Sequence, residues 1–289
     1  MSVLIALEGN ISVGKSTLCA KMPKEYKGKS VVIRYETIPK GLLALFYSGL
    51  SQKPNPYAFT LQINQLSRRS CDMLLTAAEL KDKEGIAFFD RSLVGDLVFA
   101  LQHYWNGNLK EEEFAVYLEE AKISQIQKVL SSLNYIFYLF NKPSDSLNNV
   151  RKRGDVDSSI PISLLEELDL LHGHVILWLM ASLGVKVTVI DWSKFGTPDT
   201  IFKTLESLKS GHLSPSFTFD TNVKDNEESK EWETSKLLPN LKNNKVLETN
   251  YLHSILFDLS KGKDVSLKVN QNIYQNSIFY ALDNIYSSI

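Results

Sequence analysis

The sequence predicts an α/β protein, in which a parallel β-sheet is covered by helices on both faces. Short apolar runs rich in β-branched residues alternate along the chain with longer segments whose apolar residues recur at helical spacing. Five such runs are predicted strands, and they cover residues 3–7, 30–35, 86–89, 135–140 and 185–190. A clear apolar stripe predicts a helix over about 110–133, and another helix is predicted to begin near Ile160-Pro161, since proline is well placed in a first turn.

Length and charge narrow the functional classes. The 289 residues carry 32 Lys and Arg against 33 Asp and Glu, and this net charge of -1 argues against a nucleic-acid partner. A hydrophobic content of 44% is enough to fill a core, and no apolar run approaches the roughly 20 residues that a membrane span needs. Any phosphate that the protein binds is therefore expected to be held by a local site.

The amino terminus and the cysteines predict a cytoplasmic protein. The change in periodicity along the chain predicts that it is divided into three segments. The amino terminus lacks the basic flank of a signal or transit peptide, and Cys19 and Cys71 are predicted to be reduced, buried thiols. Residues 1–210 hold the α/β pattern, whereas 211–250 are polar and weakly periodic and are predicted to form a linker or mobile segment. Helical spacing returns in 251–289, which are predicted to form a carboxy-terminal helical extension.

A phosphate-binding loop follows the first predicted strand. Its G-x-x-x-x-G-K-[ST] pattern is complete and comprises Gly9, Asn10, Ile11, Ser12, Val13, Gly14, Lys15, Ser16 and Thr17. The glycines let the backbone N–H groups turn inward, and the helix that follows adds positive potential at its amino terminus. In such a loop Lys15 reaches the outer phosphates and the Ser16 hydroxyl meets Mg²⁺. The pattern therefore predicts a site for ATP or another nucleoside triphosphate.

The phosphate loop is shared by GTPases, motor ATPases and small-molecule kinases, so other residues must separate these classes. A GTPase needs an Asn-Lys-x-Asp motif to read its base. The segment Asn141-Lys142-Pro143-Ser144-Asp145 has its aspartate one residue too late and fits a turn at the end of a strand instead. The third strand also lacks the Asp-x-x-Gly segment of a GTPase switch. These departures favour a kinase.

Charged residues follow two of the predicted strands, at the edge of the sheet where the loop is expected. Glu36 comes directly after the second strand, and Asp90 and Arg91 come after the third. The carboxyl ends of parallel strands meet at one edge, so these side chains are expected beside the phosphate loop. Phosphoryl transfer needs a positioned acceptor, a carboxylate, Mg²⁺ and cations. Glu36 and Asp90 fit a general base and a metal-linked carboxylate, and Arg91 fits the cation.

Taken together, these residues resemble the deoxyribonucleoside kinases, which include the deoxycytidine, deoxyguanosine and mitochondrial thymidine kinases. The resemblance covers about residues 1–210 and lies in the EGNISVGKST loop, Glu36, residues 59–62, the triplet 90–92 and the basic segment 151–153. It implies a P-loop kinase fold with a five-stranded parallel sheet and a helical lid. It also implies that ATP and Mg²⁺ serve to phosphorylate a deoxynucleoside, and that the protein is a homodimer.

The resemblance also implies roles for residues of the acceptor site. Glu36 is implied to be the general base for the 5′-hydroxyl, and Arg91 to contact that hydroxyl and the transferred phosphate. Asp90 stands where the family more often has glutamate, and it keeps the charge that Mg²⁺ needs. Gln62 is implied to make paired hydrogen bonds to the base.

Helical spacing indicates that Arg69, rather than Arg68, contacts a base held by Gln62. Gln62 and Arg69 are seven residues apart, which puts them within about 20° of one helix face, whereas Arg68 points away. Asp96 falls where relatives that accept cytosine or purine bases carry an aspartate paired with that arginine. The resemblance thus favours deoxycytidine or purine deoxynucleosides as substrates. The alternative for Arg69 and Asp96 is a structural salt bridge between neighbouring helices.

Two tyrosines are further candidates for substrate binding. Tyr47 and Tyr57 are candidates for the sugar 3′-hydroxyl and for a wall of the base pocket. The alternative for both is a place in the core, because aromatic residues at helical spacing are more often core residues.

The lid departs from the family pattern. Arg151 and Arg153 are implied to clamp the donor phosphates, while Asn149 and Asp155 stand where relatives tend to have further arginines. Asp157, with Asp155 as the alternative, is implied to meet the sugar 3′-hydroxyl. Loss of a charge-assisted phosphate contact is expected to slow turnover without changing the reaction class.

Two other functions fit part of the pattern. A thymidylate-type nucleoside monophosphate kinase also has a phosphate loop and an Asp-Arg pair, but Gln62 together with Arg69 favours a nucleoside acceptor. A nucleotide-binding regulatory protein with weak turnover fits the altered lid. The ATP-dependent 5′-phosphorylation of a deoxyribonucleoside, in nucleotide salvage, accounts for most of the pattern.

Overall fold

Helices and strands alternate through most of the chain. The computed structural model describes residues 2–123, 129–130, 132–154, 160–175, 185–213, 217–219 and 267–269. The strands are β1 (Val3–Glu8), β2 (Glu25–Tyr26), β3 (Lys29–Arg34), β4 (Gly85–Asp90), β5 (Tyr135–Phe140), β6 (Lys186–Asp191), β7 (Phe217–Phe219) and β8 (Leu267–Val269). The helices are α1 (Lys15–Lys21), α2 (Lys40–Ser48), α3 (Ala58–Glu79), α4 (Leu93–Trp105), α5 (Glu111–Ile123), α6 (Pro143–Arg153), α7 (Ile162–Val175) and α8 (Pro198–Ser210).

One sheet contains all of these strands, in the order β2-β3-β4-β1-β5-β6-β7-β8. The middle strands β3, β4, β1, β5 and β6 pair in parallel, while β2, β7 and β8 pair in antiparallel fashion. The five parallel strands are the five predicted from the sequence, and each boundary agrees within one residue. The predicted fold class is confirmed. The carboxyl ends of β3, β4, β1 and β5 lie on one edge of the sheet, as parallel pairing requires.

Apolar side chains of the sheet belong to two hydrophobic cores, one on each face of the sheet. β1 is buried along its whole length, and its residues alternate between the cores, with Leu4 and Ala6 in one and Ile5 and Leu7 in the other. Residues of α3, α4, α5 and α7 complete the first core, and residues of α1 and α8 complete the second. Coverage on both faces explains why these strands are apolar throughout and do not alternate with polar residues.

The two helices predicted from their apolar stripes are present as α5 and α7. Phe114 and Tyr117 of the first stripe are buried in the core, as are Leu168 and Leu171 of the second. α7 begins at Ile162, directly after the proline predicted to open it. The part of the first stripe at residues 124–128 lies outside the described residues.

Two short strands lie within the segments predicted as a linker and an extension. β7 pairs with β6 at the edge of the sheet, and β8 pairs with β7. Apart from β8, residues 220–289 lie outside the described part of the chain, and so does the predicted carboxy-terminal helix. The division of the chain at residue 210 stays a prediction.

The cysteines differ in their exposure. Cys19 is buried in α1, but Cys71 is exposed on α3, so the prediction of two buried thiols is wrong for Cys71. The reason is helical geometry, because Cys71 lies two residues after the buried Arg69 and therefore about 200° around the helix. Within the described ranges, no helix is long and apolar enough to cross a membrane.

Candidate active site

The phosphate loop joins β1 to α1 at the carboxyl edge of the sheet. Lys15 is the first residue of α1, and its Nζ donates hydrogen bonds to the backbone oxygens of Gly9 at 3.0 Å and Asn10 at 2.7 Å. Gly9 has a φ of 147°, and a Cβ there would lie 2.7 Å from the backbone oxygen of Leu139. Glycine is therefore required at this position, because the loop passes directly against the end of β5.

The charge of Lys15 depends on its surroundings. The pKa of Lys15 is lowered to about 7, first by burial and then by the nearby Arg91, against the opposing attraction of Asp90 and Glu36. Negative charge brought close to the amine favours its protonated form. A bound phosphate would therefore be matched by a fully charged Lys15.

Asp90 is the last residue of β4, where it pairs in register with Leu7 of β1, and its charge favours the protonated form of Lys15. It is 3% exposed, and neither carboxylate oxygen has a hydrogen-bond partner among the residues that the structure describes. A buried carboxylate without partners is costly unless a cation or donor joins it. The described residues contain no group of three or more His, Cys, Asp and Glu placed to hold a metal ion.

Glu36 lies two residues beyond β3 and is held between two arginines. One carboxylate oxygen accepts a short hydrogen bond from Arg69 Nη2, and the other lies 3.4 Å from Arg91 Nε. Burial raises the pKa of Glu36, but the attraction of Arg91, Arg69 and Lys15 outweighs it and holds the pKa below its ordinary value. Glu36 is thus an ionised carboxylate, and its side chain remains 21% exposed.

Glu8 organises the turn that follows β4, a role that the sequence analysis missed. Its Oε1 accepts hydrogen bonds from the backbone N–H of Ser92 at 2.7 Å, the Ser92 hydroxyl at 2.6 Å and the backbone N–H of Gly95 at 3.3 Å. A Cβ at Gly95 would lie 2.7 Å from Glu8 Oε2, so the start of α4 approaches the carboxylate closely. The position of Glu8 directly before the phosphate loop was the one sequence signal for this role.

Arg91 is held in a left-handed backbone conformation between β4 and α4. Its φ is 69°, which is uncommon for a residue other than glycine and marks functional sites more often than other places. Its backbone N–H donates to Leu7 O at 3.1 Å, and its Nη1 donates to Gly9 O at 2.9 Å. The guanidinium also lies 5.0 Å from the centre of the Phe99 ring. Arg91 therefore connects the turn, the phosphate loop and Glu36.

Arg69 joins two carboxylates. Besides its bond to Glu36, its Nη1 lies 3.5 Å from Asp96 Oδ1 and donates to Ser92 O at 3.4 Å. The Tyr117 hydroxyl donates to Asp96 Oδ2 at 2.6 Å. Burial raises the pKa of Asp96 to about 6, although Arg69 and Tyr117 favour the ionised form. The predicted Arg69–Asp96 pair is present, but its extension to Glu36 and Tyr117 was not foreseen.

A cavity of about 540 Å³ runs from the phosphate loop to the base of α2 and α3. The predicted residues that line it are Ile11, Ser12, Gly14, Lys15, Ser16, Glu36, Tyr47, Gln62, Arg69, Arg91, Asp96 and Arg153. Gln62 is 3% exposed, and its Oε1 has no partner within the described residues. Arg68, on the same helix, is exposed, in agreement with the helical spacing. The cavity thus connects a phosphate site with a polar, unsatisfied amide.

Tyr47 and Tyr57 differ in their placement. Tyr47 lines the cavity, whereas Tyr57 does not belong to its described lining. Tyr57 precedes α3, and its backbone N–H donates to Asn55 Oδ1 at 2.9 Å. Its ring packs on the core beside Gly49. The alternative reading as a core residue therefore describes Tyr57 better.

The lid lies on α6 and on the segment that follows it. Arg151 and Arg153 are in the last turn of α6, where Arg153 lines the cavity and Arg151 is exposed. Asn149, which stands in place of a family arginine, donates from Nδ2 to the backbone oxygen of Ser12 at 3.4 Å. Asp155 and Asp157 lie outside the described residues.

Comparison with known proteins agrees with this geometry. The family model for deoxynucleoside kinases matches residues 5–210. The chain belongs to the deoxynucleoside kinase family. It is a kinase, and the reaction of its family is the phosphorylation of deoxynucleosides. The resemblance noted from the motifs is confirmed over the range in which it was found.

Individual relatives agree with the family. The chain is 30% identical to the deoxyguanosine kinase of Dictyostelium discoideum over 212 residues, which are 71% of this chain and 70% of the relative. It is 30% identical to deoxycytidine kinase 2 of Gallus gallus over 58% of this chain and 71% of that one. A solved deoxyadenosine kinase from M. mycoides has a similar fold, with a TM-score of 0.55 and 21% identity over 73% of this chain and 100% of that one.

Proposed function

We propose that this kinase transfers the γ-phosphoryl group of ATP, or of another nucleoside triphosphate, to the 5′-hydroxyl of a deoxynucleoside. The observation that carries the proposal is that Lys15, Glu36 and the unsatisfied amide of Gln62 line one cavity. Phosphoryl transfer needs a donor site, a base and an acceptor site close together, and this cavity is lined by a candidate for each.

Glu36 is proposed as the general base. Arg69 and Arg91 keep its carboxylate ionised, because they hold its pKa below the ordinary value. An ionised carboxylate accepts the proton of the 5′-hydroxyl as the oxygen attacks phosphorus. Arg91, which also contacts the phosphate loop at Gly9, is then placed to stabilise negative charge on the transferred group.

The donor phosphates are proposed to lie against the phosphate loop. Lys15 and the backbone N–H groups at the start of α1 attract them, and Arg151 and Arg153 of the lid supply further positive charge. Gly9, Asn10, Ile11, Ser12, Val13, Gly14, Ser16 and Thr17 form the rest of this site. Asn149, which replaces a family arginine, is uncharged and donates to the backbone oxygen of Ser12 at 3.4 Å, so we propose that Arg151 and Arg153 supply the positive charge that clamps the phosphates.

Asp90 and Ser16 fit a Mg²⁺ ion. Both carboxylate oxygens of Asp90 lack partners in the described part of the chain, which is the condition of a carboxylate that awaits a cation. Mg²⁺ takes few protein ligands and completes its shell with water and phosphate oxygens, so two side chains suffice. When bound, the ion would neutralise charge on the donor phosphates.

The base is proposed to bind between Gln62 and the Arg69–Asp96 pair. Relatives of this chain are named for deoxyguanosine and deoxycytidine, which supports the preference for deoxycytidine or purine deoxynucleosides. A buried ion pair that reads polar base edges discriminates strongly, because a wrong base leaves charged groups without partners. Tyr47 is proposed to meet the sugar, with Asp157 as its partner from the lid.

A homodimer is part of the proposal. Leu74 and Leu75 of α3 and Val116 of α5 are large apolar side chains that are exposed in the single chain. α3 and α5 pack against each other, and we propose that a second copy covers these exposed side chains. Light scattering of the purified chain would give a mass of about twice 32.7 kDa if the proposal holds.

An activity assay with matched acceptors tests the proposed function. The chain is incubated with ATP, Mg²⁺ and each deoxynucleoside or each deoxynucleoside monophosphate, and products are separated by chromatography. We expect 5′-monophosphates from deoxycytidine or purine deoxynucleosides and no product from thymidylate. Product from thymidylate alone would identify the thymidylate-type alternative, and tight ATP binding without any product would identify the regulatory alternative.

A further inference from the structure

A polar cluster lines the cavity beyond the residues used so far. It consists of Gln102 and Asn106, at the end of α4, and Glu167 of α7. Glu167 Oε2 accepts hydrogen bonds from Gln102 Nε2 at 3.0 Å and from Asn106 Nδ2 at 2.7 Å. Two amides on one helix therefore hold a carboxylate of another helix in a defined position at the cavity wall.

The carboxylate also determines which way the Gln102 amide points. A carboxylate accepts hydrogen bonds and donates none, so Gln102 must turn its NH₂ group toward Glu167 and its Oε1 away. Gln102 is 3% exposed, and its Oε1 has no partner among the described residues. An unsatisfied buried acceptor is unfavourable, and a hydrogen-bond donor in the cavity would relieve it.

The cluster lies at the level where the base is expected. α3 and α4 run in opposite directions, because Arg69 meets Asp96 at one end and the Asn55 N–H donates to Asn108 O at the other, at 3.0 Å. Gln62 is seven residues before Arg69, and Gln102 is six residues after Asp96. At 1.5 Å per residue, Gln62 lies about 10.5 Å and Gln102 about 9 Å along the helices from the ion pair. A base held by Gln62 therefore comes alongside Gln102.

Lys53 also lines the cavity, where the Glu167 carboxylate attracts its charge. Its Nζ donates to Asn108 Oδ1. The neighbouring His103 is neutral, because burial lowers its pKa to about 3. Besides Lys53, the cluster offers a ligand two hydrogen-bond acceptors, namely the Gln102 oxygen and the Glu167 carboxylate.

We propose that Glu167 and Gln102, with Asn106 as a positioning residue, form a subsite that binds the amino group of the acceptor base. The inference rests on the proposed function, since it places a deoxynucleoside in this cavity. Adenine, cytosine and guanine carry an exocyclic amino group, and thymine does not. A sugar hydroxyl is the other possible donor, but it lies nearer to the 5′-oxygen than the outer edge of the base does. The distance along the helices thus favours the base.

Matched pairs of nucleosides test the subsite. Deoxyadenosine is compared with purine deoxyriboside, and deoxyguanosine with deoxyinosine, because each pair differs by one amino group. We expect wild-type kcat/KM to be about 10- to 100-fold higher for the member with the amino group, as befits a hydrogen bond to a charged or buried acceptor. In Glu167→Gln and in Gln102→Met this ratio should fall to within a few-fold of one. An analogue without the 3′-hydroxyl tests whether the donor to the subsite is that hydroxyl or the amino group of the base.

The control is Glu166→Gln, which makes the same change at the neighbouring, exposed position of α7. It should leave the ratio unchanged, and ATP binding of all variants should match the wild type if they are folded. An equal loss of activity with both members of each pair would indicate a merely structural cluster and overturn the proposal. The proposal would also be overturned if the variants lowered activity only with substrates that carry the 3′-hydroxyl.

Failure of the proposed function gives a different result. In that case the wild type phosphorylates no nucleoside, and the same pairs are compared by calorimetric binding. A preference for the amino member that Glu167→Gln abolishes would keep the subsite without the reaction. Equal binding of both members, or binding of neither, would overturn the subsite.

Discussion

Replacing Glu36 by glutamine is the sharpest test of the proposed chemistry. Glutamine has nearly the same shape but cannot take the proton of the 5′-hydroxyl. A positioned general base contributes about 100- to 10,000-fold, so we expect kcat of Glu36→Gln to fall by a factor in that range. This factor corresponds to about 3–5 kcal/mol of activation free energy.

The structure also predicts what happens to the two arginines. The carboxylate of Glu36 faces Arg69 with one oxygen and Arg91 with the other. Glutamine offers one oxygen and one NH₂ group, so one guanidinium loses its acceptor and faces a donor. We expect the free energy of unfolding to fall by about 1–3 kcal/mol, the usual cost of leaving a buried charged group without its partner. Among the described residues Glu36 pairs with the two arginines and not with the phosphate loop, so ATP binding should persist.

Steady-state kinetics measure kcat, calorimetry measures ATP binding, and thermal unfolding measures the loss of stability. Glu79→Gln is the matched control, because Glu79 pairs with Arg34 at 2.7 Å but on the surface, where such pairs contribute little. We expect that control to retain wild-type kcat. Because the pKa of Glu36 is lowered, the wild-type kcat should not lose this base between pH 8 and pH 5. A folded Glu36→Gln enzyme with kcat within threefold of the wild type would refute the assignment.

Three further predictions follow from the buried charges. Tyr117→Phe removes the 2.6 Å hydrogen bond to Asp96, so kcat/KM for the deoxynucleoside should fall about tenfold, measured against an unchanged Kd for ATP. Burial raises the pKa of Asp169 to about 7 from 3.8, so the wild type should lose stability as the pH rises through that interval. Asp169→Asn keeps an acceptor for Tyr138 and does not titrate. Its free energy of unfolding, relative to that of the wild type, should therefore rise by about 2–3 kcal/mol from pH 5 to pH 8, as measured by denaturant unfolding. Because the pKa of Lys15 is about 7, ATP binding should take up about one proton at pH 8 and about none at pH 6. Calorimetry in buffers of different ionisation enthalpy measures this, and equal uptake at both pH values would contradict it.

The parallel strands and the phosphate loop could be predicted because neighbouring residues in the sequence determine them. Strands buried on both faces are apolar along their whole length, as in β1, and this signal needs no knowledge of distant residues. The spacing of Gln62 and Arg69 likewise follows from helix geometry alone. Their shared face on the cavity was therefore predictable before any contact was known.

Residues that act through distant partners could not be predicted in the same way. Glu8 binds the backbone of Ser92, 84 residues further along the chain. Tyr117 has the spacing of a core residue and is one, yet its hydroxyl supports Asp96 across a helix interface. Glu167 looks like an exposed position of an amphipathic helix, and only the meeting of α4 and α7 gives it two amide partners. In each case the signal lies in tertiary packing.

If the deoxynucleoside binds as proposed, the contacts of Arg69 with Glu36 and Asp96 join recognition of the base to the chemistry. One guanidinium contacts both Asp96, on the side of the base, and Glu36, the proposed general base. A base that pairs poorly with Asp96 would draw Arg69 away from its shared position, because a buried guanidinium keeps as many acceptors as it can reach. Glu36 would then lose one of the two cations that keep it ionised and in place. In the proposed complex, a wrong base would therefore weaken the transition state more than ground-state binding, and this difference would appear as specificity in kcat/KM.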